Sequence, residues 1–162
     1  MTDLADLVRQ LEARVRALED ELAIHRLIVH YGLSADAGEA EATAAVFAPE
    51  GVYDTDVGVM TGREEVAAMI RSPAHQTMVG HCAHQVGPAV VRVTGDRAEA
   101  LGYSRVYLST RAGTHIYRVS VNRWELERRP DGWAIQKRIT RRLGHDEALP
   151  LLRSGVTENA HT

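Results

Sequence analysis

Asp36 and His84 are the pair with the most chemical potential in this chain: an acid just past an amphipathic helical stretch, and a histidine opening a β-rich one. A carboxylate that orients an imidazole makes a proton acceptor and donor suited to neutral pH. Tyr31 has the helical position to face a pocket, with core packing on the apolar stripe as the competing reading, while Tyr53 and Asn122 sit on expected strands. These three are candidates to hydrogen-bond a substrate oxygen on which charge develops. His81, close to His84, is a further candidate substrate contact. No metal is expected, because three-residue spacing on a strand turns His81 and His84 to opposite faces. Cys82 lies between the two histidines, but nothing else in the chain supports a thiol mechanism. There is no glycine-rich phosphate loop, nucleophile elbow or zinc motif. The competing readings are Asp36 as a helix terminator and His84 as a satisfied sheet histidine.

These residues need elements to carry them. Leu4, Leu7, Val8, Leu11, Val15, Leu18, Leu22 and Leu27 recur at three- and four-residue steps, which predicts one long helix over the first thirty residues. The stripe on residues 1–20 precedes the compact part of the chain, so it is expected to pack on another subunit or back over the domain, as a short coiled-coil-like arm, with an ordinary surface helix of a monomer as the competing reading. Ile24, Leu27, Ile28, Tyr31 and Gly32 carry the helix into the domain, and small residues end it between Ser34 and Gly38. A second helix is expected over 40–48, stopped by Pro49. A hairpin should follow at Val52, Tyr53 and Val57 to Met60. Thr61-Gly62-Arg63-Glu64 reads as a capping box opening a third helix.

After Pro73 the pattern changes. Four segments, 86–93, 98–108, 116–126 and 133–139, are rich in β-branched and aromatic residues and are separated by Gly-containing turns. They predict an antiparallel meander whose last hairpin packs Trp124 and Trp133 inward. Helices first and strands afterwards give an α+β domain: a cone-shaped, curved antiparallel or mixed sheet wrapped around about three helices, with an extended N-terminal helix. The open mouth of such a cone suits a small molecule. The expected division is an arm over 1–22, the domain over 23–145 and a C-terminal tail over 146–162.

Composition narrows the class. The chain has 162 residues, 44% of them hydrophobic, and a net charge of -3, which fits one domain and argues against nucleic acid. Arg123, Arg128, Arg129, Arg138, Arg141 and Arg142 gather near the end, interleaved with acids, and read as a solvated face. One cysteine excludes an internal disulfide and fits a reducing compartment. No apolar run approaches the ~20 residues of a membrane span, and the N-terminus lacks signal-peptide character. The expectation is a cytoplasmic protein with no membrane partner.

The order of elements, Ile24-His25-Arg26-Leu27 leading to Tyr31 and Asp36, the Thr94-Gly95-Asp96-Arg97-Ala98 turn, and the ending Asn122-Arg123-Trp124 with Pro130-Asp131-Gly132-Trp133 resemble the SnoaL-like branch of the nuclear transport factor 2-like superfamily. The resemblance covers about residues 20–143. Two enzymes of that superfamily, scytalone dehydratase and hexachlorocyclohexane dehydrochlorinase, are known for an Asp–His dyad inside the cone. Asp36 and His84 match its two members. Ser120 and Asn122 match a Ser-x-Asn strand motif of scytalone dehydratase. That enzyme's tyrosine before the aspartate is Ala35 here, and its second histidine falls at Ser109 or Thr110, so scytalone is not the expected substrate.

The resemblance implies a cofactor-independent lyase or isomerase, a dehydratase or polyketide cyclase, acting on a small apolar molecule. Asp36 and His84 would be catalytic, with a homodimer or trimer as the assembly. The alternative is a non-catalytic small-molecule-binding or oligomerisation subunit, such as an oxygenase small-subunit-like module.

Overall fold

The computed structural model describes residues 3–159, which form five helices and six strands. The first helix, α1 (Leu4–Asp36), is rich in Leu, Ala, Arg and Glu, strong helix formers, and it runs unbroken from the arm into the domain. Its first four turns stand in solvent. Contact with the body begins at Asp20, which accepts hydrogen bonds from Arg128 (2.7 and 2.8 Å) and from the Trp133 indole (3.0 Å).

A six-stranded mixed sheet curves around the helices in the order β2-β1-β6-β5-β4-β3, its edges unclosed. Its strands are β1 (Phe47–Thr55), β2 (Gly58–Thr61), β3 (Cys82–Thr94), β4 (Arg97–Thr110), β5 (Gly113–Arg129) and β6 (Gly132–Arg142). β1 pairs parallel to β6, and every other neighbour is antiparallel. The core lies between the concave face and the helices. Ile24, Ile28 and Tyr31 of α1 and Val66 and Ile70 of α3 (Arg63–Arg71) meet Phe47, Trp124, Leu126 and Ile135. No helix among the described residues is long and apolar enough to cross a membrane.

Three local expectations are corrected. The second helix, α2 (Ala40–Ala45), is shorter than 40–48, because Phe47 starts β1 and buries its ring against Tyr31 and Tyr53. Pro49 therefore lies inside a strand rather than stopping a helix. The β1/β6 register shifts between Phe47 and Val52, around the residue that has no N–H to give. The helix α3 is capped by Gly62 at φ 82°, not by Thr61, whose backbone N–H instead donates to the Glu65 carboxylate at 2.7 Å. The tail expected after residue 146 is a helix, α5 (Ala148–Asn159), packed across β5, β4 and β6. Leu101, against which Gly155 rests, alternates with core-facing Ala100, so α5 covers the outer face of the sheet.

Candidate active site

The end of α1 fixes one wall of a cavity of about 430 Å³ inside the cone. Gly38, at φ 72°, ends the helix: its N–H bonds the carbonyl of Ala35, and the N–H of Glu39 bonds that of Ser34. This double bond with glycine in the left-handed position is a Schellman termination, and it leaves Asp36 in the last helical turn. A carboxylate there opposes the helix dipole, so local helix energetics do not account for it. Its partners do.

β3 can run close beside α1 because Gly32 has no side chain. A Cβ on Gly32 would lie 2.7 Å from the backbone oxygen of His84. That approach brings His84 to Asp36 one turn further on. The His84 ring nitrogen Nδ1 lies 2.5 Å from Asp36 Oδ1, and the His84 backbone N–H donates to Oδ2 at 2.6 Å. Cys82, two residues earlier and hence on the same face of β3, donates its thiol to Oδ1 at 3.3 Å. An ionised carboxylate only accepts, so Nδ1 carries the ring proton and Nε2 is the free acceptor.

Charge follows the same geometry. Burial would raise the Asp36 carboxyl, but hydrogen bonds from the His84 ring and backbone, the His84 charge and the Cys82 thiol outweigh it, and the group titrates below the ordinary value. The Cys82 thiol is pushed up to about 12 by burial, its hydrogen bond to Asp36 and the charge of that carboxylate. It is therefore a poor nucleophile. The spacing of His81 and His84 argues against a ligand set built on the two histidines. In the fold Asp36, Cys82 and His84 do converge, their ligand atoms within 4.8 Å of one another. The carboxylate here accepts a hydrogen from each of the other two, which accounts for the clustering.

The opposite wall is polar for a different reason. Arg138 of β6, expected on a solvated face, is only 2% exposed and lines the cavity. Its guanidinium lies over the rings of Tyr31 (4.2 Å), Tyr53 (4.7 Å) and Trp124 (5.6 Å). Nε and Nη2 donate to Asn122 Oδ1 at 3.2 and 2.9 Å, while Nη1 has no hydrogen-bond partner among the described residues. Arg141 is also buried, paired with Asp54 and Glu147.

Of the residues singled out by sequence, Tyr31, Tyr53 and His84 line the cavity, and Asp36 is joined to it through His84. Asn122 is fully buried and committed elsewhere. It receives Arg138 and Thr140 on Oδ1 and donates to Ser104 and to the Ser120 carbonyl, so it holds the arginine rather than a ligand. His81 is exposed and belongs to a separate surface groove with Thr77 and Ser109. Several cavity residues escaped the sequence reading, Arg138, His75, Arg118 and Ser104 among them. Arg138 was masked by its basic neighbours Lys137, Arg141 and Arg142, although alternation along β6 puts it on the face of Thr140. His75, from the four-residue helix α4 (Pro73–Gln76), has its Nε2 2.8 Å from the Ala35 carbonyl. A single short turn gives no period from which to foresee that.

At the rim stand Thr55, Val57, Gly58 and Val59 of the β1–β2 hairpin, pinned to β5 by the Asp56–Arg118 ion pair. The interior is thus walled by apolar and aromatic groups, with the His84 and His75 imidazoles at the α1 end and the Arg138 and Arg118 guanidinium groups on the sheet. This is an arrangement for a small, largely apolar molecule bearing a polar acceptor.

Comparison with known proteins agrees with the architecture. The model of the SnoaL-like domain family matches residues 16–139. A nuclear transport factor 2-like protein with a cystatin-like fold from Novosphingobium aromaticivorans is 38% identical, with a TM-score of 0.85 over 94% of this chain and 98% of that one. An Asp-to-Asn variant of a Mycobacterium tuberculosis protein of unknown function is 23% identical, with a TM-score of 0.70 over 93% of this chain and 88% of that one. A Catenulispora acidiphila protein in complex with S-DNPA is 22% identical, with a TM-score of 0.66 over 78% of this chain and 94% of that one. The last two similarities bear on the fold alone. No curated protein matches the chain.

Proposed function

We propose, on the premise that this chain belongs to the SnoaL-like family of the nuclear transport factor 2-like superfamily, that it is a cofactor-independent lyase or isomerase, with dehydration as the favoured reaction. One observation carries the reading: a hydrogen-bonded Asp36–His84 pair at the edge of a cavity of about 430 Å³, with Nε2 of His84 left as the acceptor. His84 takes a proton from carbon next to a carbonyl. The C–H electron pair moves to the adjacent C–C bond, and the carbonyl oxygen gains the negative charge. Asp36 fixes the tautomer and stabilises the imidazolium. Tyr31, Tyr53 and Arg138 surround the space where the oxygen would lie, and burial raises the Tyr31 phenol far above its ordinary value, so it remains a donor. From the enolate, loss of a β-hydroxyl gives dehydration, return of the proton at another carbon gives isomerisation, and attack on a second carbonyl closes a ring.

The test is turnover of a panel of β-hydroxy carbonyl compounds and cyclisation precursors, followed by absorbance of the conjugated product. Turnover by the wild type that His84→Ala removes supports the reading. Activity unchanged in a variant lacking both Asp36 and His84 overturns the dyad mechanism, and no turnover of the whole panel by the wild type favours the non-catalytic binding subunit. That second reading draws support from the exposed apolar stripe of α1, which suits an assembly role. In either case the chain is proposed to be cytoplasmic and to work as a homo-oligomer, with arm, domain and C-terminal helix divided near residues 22 and 145.

A further inference from the structure

The first turns of α1 are exposed on every side, yet a lone helix projecting into water is only marginally stable. Leu7 and Leu33 apart, its exposed large apolar residues fall on a heptad. Val8, Val15, Leu22 and Val29 occupy one seam position, a. Leu4, Leu11 and Leu18 occupy the other, d, where His25 follows. The seven aliphatic members are all exposed, Leu4 at 73% and Leu18 at 66%, and the seam continues past Asp20, where the opposite side of α1 enters the core. Four consecutive heptads with a 3.5-residue period are the signature of a left-handed coiled coil.

The seam residues also select a geometry. Mostly β-branched residues at a with leucine at d favour two parallel strands. Charges flanking the seam agree. In a parallel pair, position g faces position e of the partner's next heptad, so Arg14 meets the partner's Glu19 and Glu21 meets the partner's Arg26. Both pairs are of opposite sign, and each occurs twice by symmetry. An antiparallel seam with the same overlap would keep one attractive pair, Arg14 with the partner's Glu21, but set Glu12 against the partner's Glu19, so the charges favour the parallel pair.

We infer that α1 pairs with α1 of a second copy of this chain as a parallel, in-register two-stranded coiled coil spanning Leu4 to Val29. The inference rests on the proposed homo-oligomer and specifies its partner surface, strand number and direction. None of the seam residues lines the cavity between the helices and the sheet, so association and turnover can be measured separately.

Sedimentation of the full-length protein at micromolar concentration should give twice the monomer mass. Leu11→Asp with Leu18→Asp should give a monomer whose domain still melts cooperatively. Glu19→Arg should weaken association about tenfold, since two ion pairs become repulsions, and adding Arg14→Glu should restore it. Mild oxidation of Val15→Cys should yield a covalent dimer, with the wild type remaining uncrosslinked. A wild-type monomer overturns both the inference and the homo-oligomer. A trimer overturns the two-stranded coil alone. An antiparallel seam, in which Val15→Cys crosslinks only when mixed with Leu18→Cys, leaves a homodimer and removes the parallel geometry.

Discussion

The two walls of the cavity handle charge in opposite ways. On the α1–β3 wall a carboxylate is matched at once by an imidazole, a backbone N–H and a thiol. On the β5–β6 wall a buried guanidinium has a neutral amide and three aromatic faces in place of a carboxylate. The first wall can move a proton with little change in its surroundings. The second keeps a fixed positive field that a ligand can answer, at the cost of a buried charge without a counter-ion among the described residues. A base facing carbon on one side and a cation facing oxygen on the other is the division that enolate chemistry requires.

The largest effect should come from the proton-moving wall. His84→Ala should lower kcat/KM by about 10²–10⁴-fold with the fold intact by circular dichroism. Asp36→Asn should also lose activity, because an amide cannot stabilise the imidazolium. The wild-type rate should fall on acidification, since only the neutral ring accepts a proton. A flat pH profile with full activity in both variants would remove any catalytic meaning from this wall.

Arg138→Met tests the opposite wall with two readouts that should diverge. Turnover should fall about 10²-fold, as for loss of an oxyanion donor. Thermal stability should hold or rise, because an apolar side chain of similar length removes a buried, incompletely satisfied cation. If the variant instead unfolds with activity unimpaired per folded molecule, Arg138 is structural and the contrast between the walls fails.

Much of the proton-moving wall was legible in the sequence, and most of the cationic wall was not. Asp36 and His84 stand at element boundaries, where a helix terminator and a strand start give position from local pattern alone. Arg138 sits mid-strand beside Lys137, Arg141 and Arg142. Its burial depends on the curvature of the sheet and on Asn122 across the ladder, neither of which has a local signal. Asn122 itself was placed on the correct strand but given a ligand to hold, because the partners that consume its hydrogen bonds come from β4 and β6. The fold class followed from periodicity. The parallel β1–β6 pairing and the helix in the C-terminal tail did not, since the first is long-range and the second rests against the outer sheet face.

A smaller effect than that on either wall is expected of Gly32→Ala, which tests how the α1–β3 wall is assembled. A methyl group 2.7 Å from the His84 carbonyl must push the strand or helix aside, and such overpacking costs about 1–3 kcal/mol. The melting temperature should drop, and kcat should drop with it because the Asp36–His84 contact is set by that approach. A variant that loses stability but keeps full kcat would show the dyad to tolerate the displacement.

The smallest effect is a reporter of the field on one wall. At pH 8 a thiol titrating at about 12 is thiolate in only about one molecule in ten thousand, against roughly a quarter for an ordinary cysteine. Cys82 in the folded protein should therefore react with iodoacetamide far more slowly than in denaturant. Asp36→Asn removes the negative charge and exchanges one acceptor oxygen for an N–H donor, which lowers the upward push on the thiol, so labelling should accelerate. Arg138→Met acts on the other wall and should leave the labelling rate unchanged. Equal acceleration in both variants would mean that the cavity behaves as one electrostatic unit rather than as two opposed surfaces.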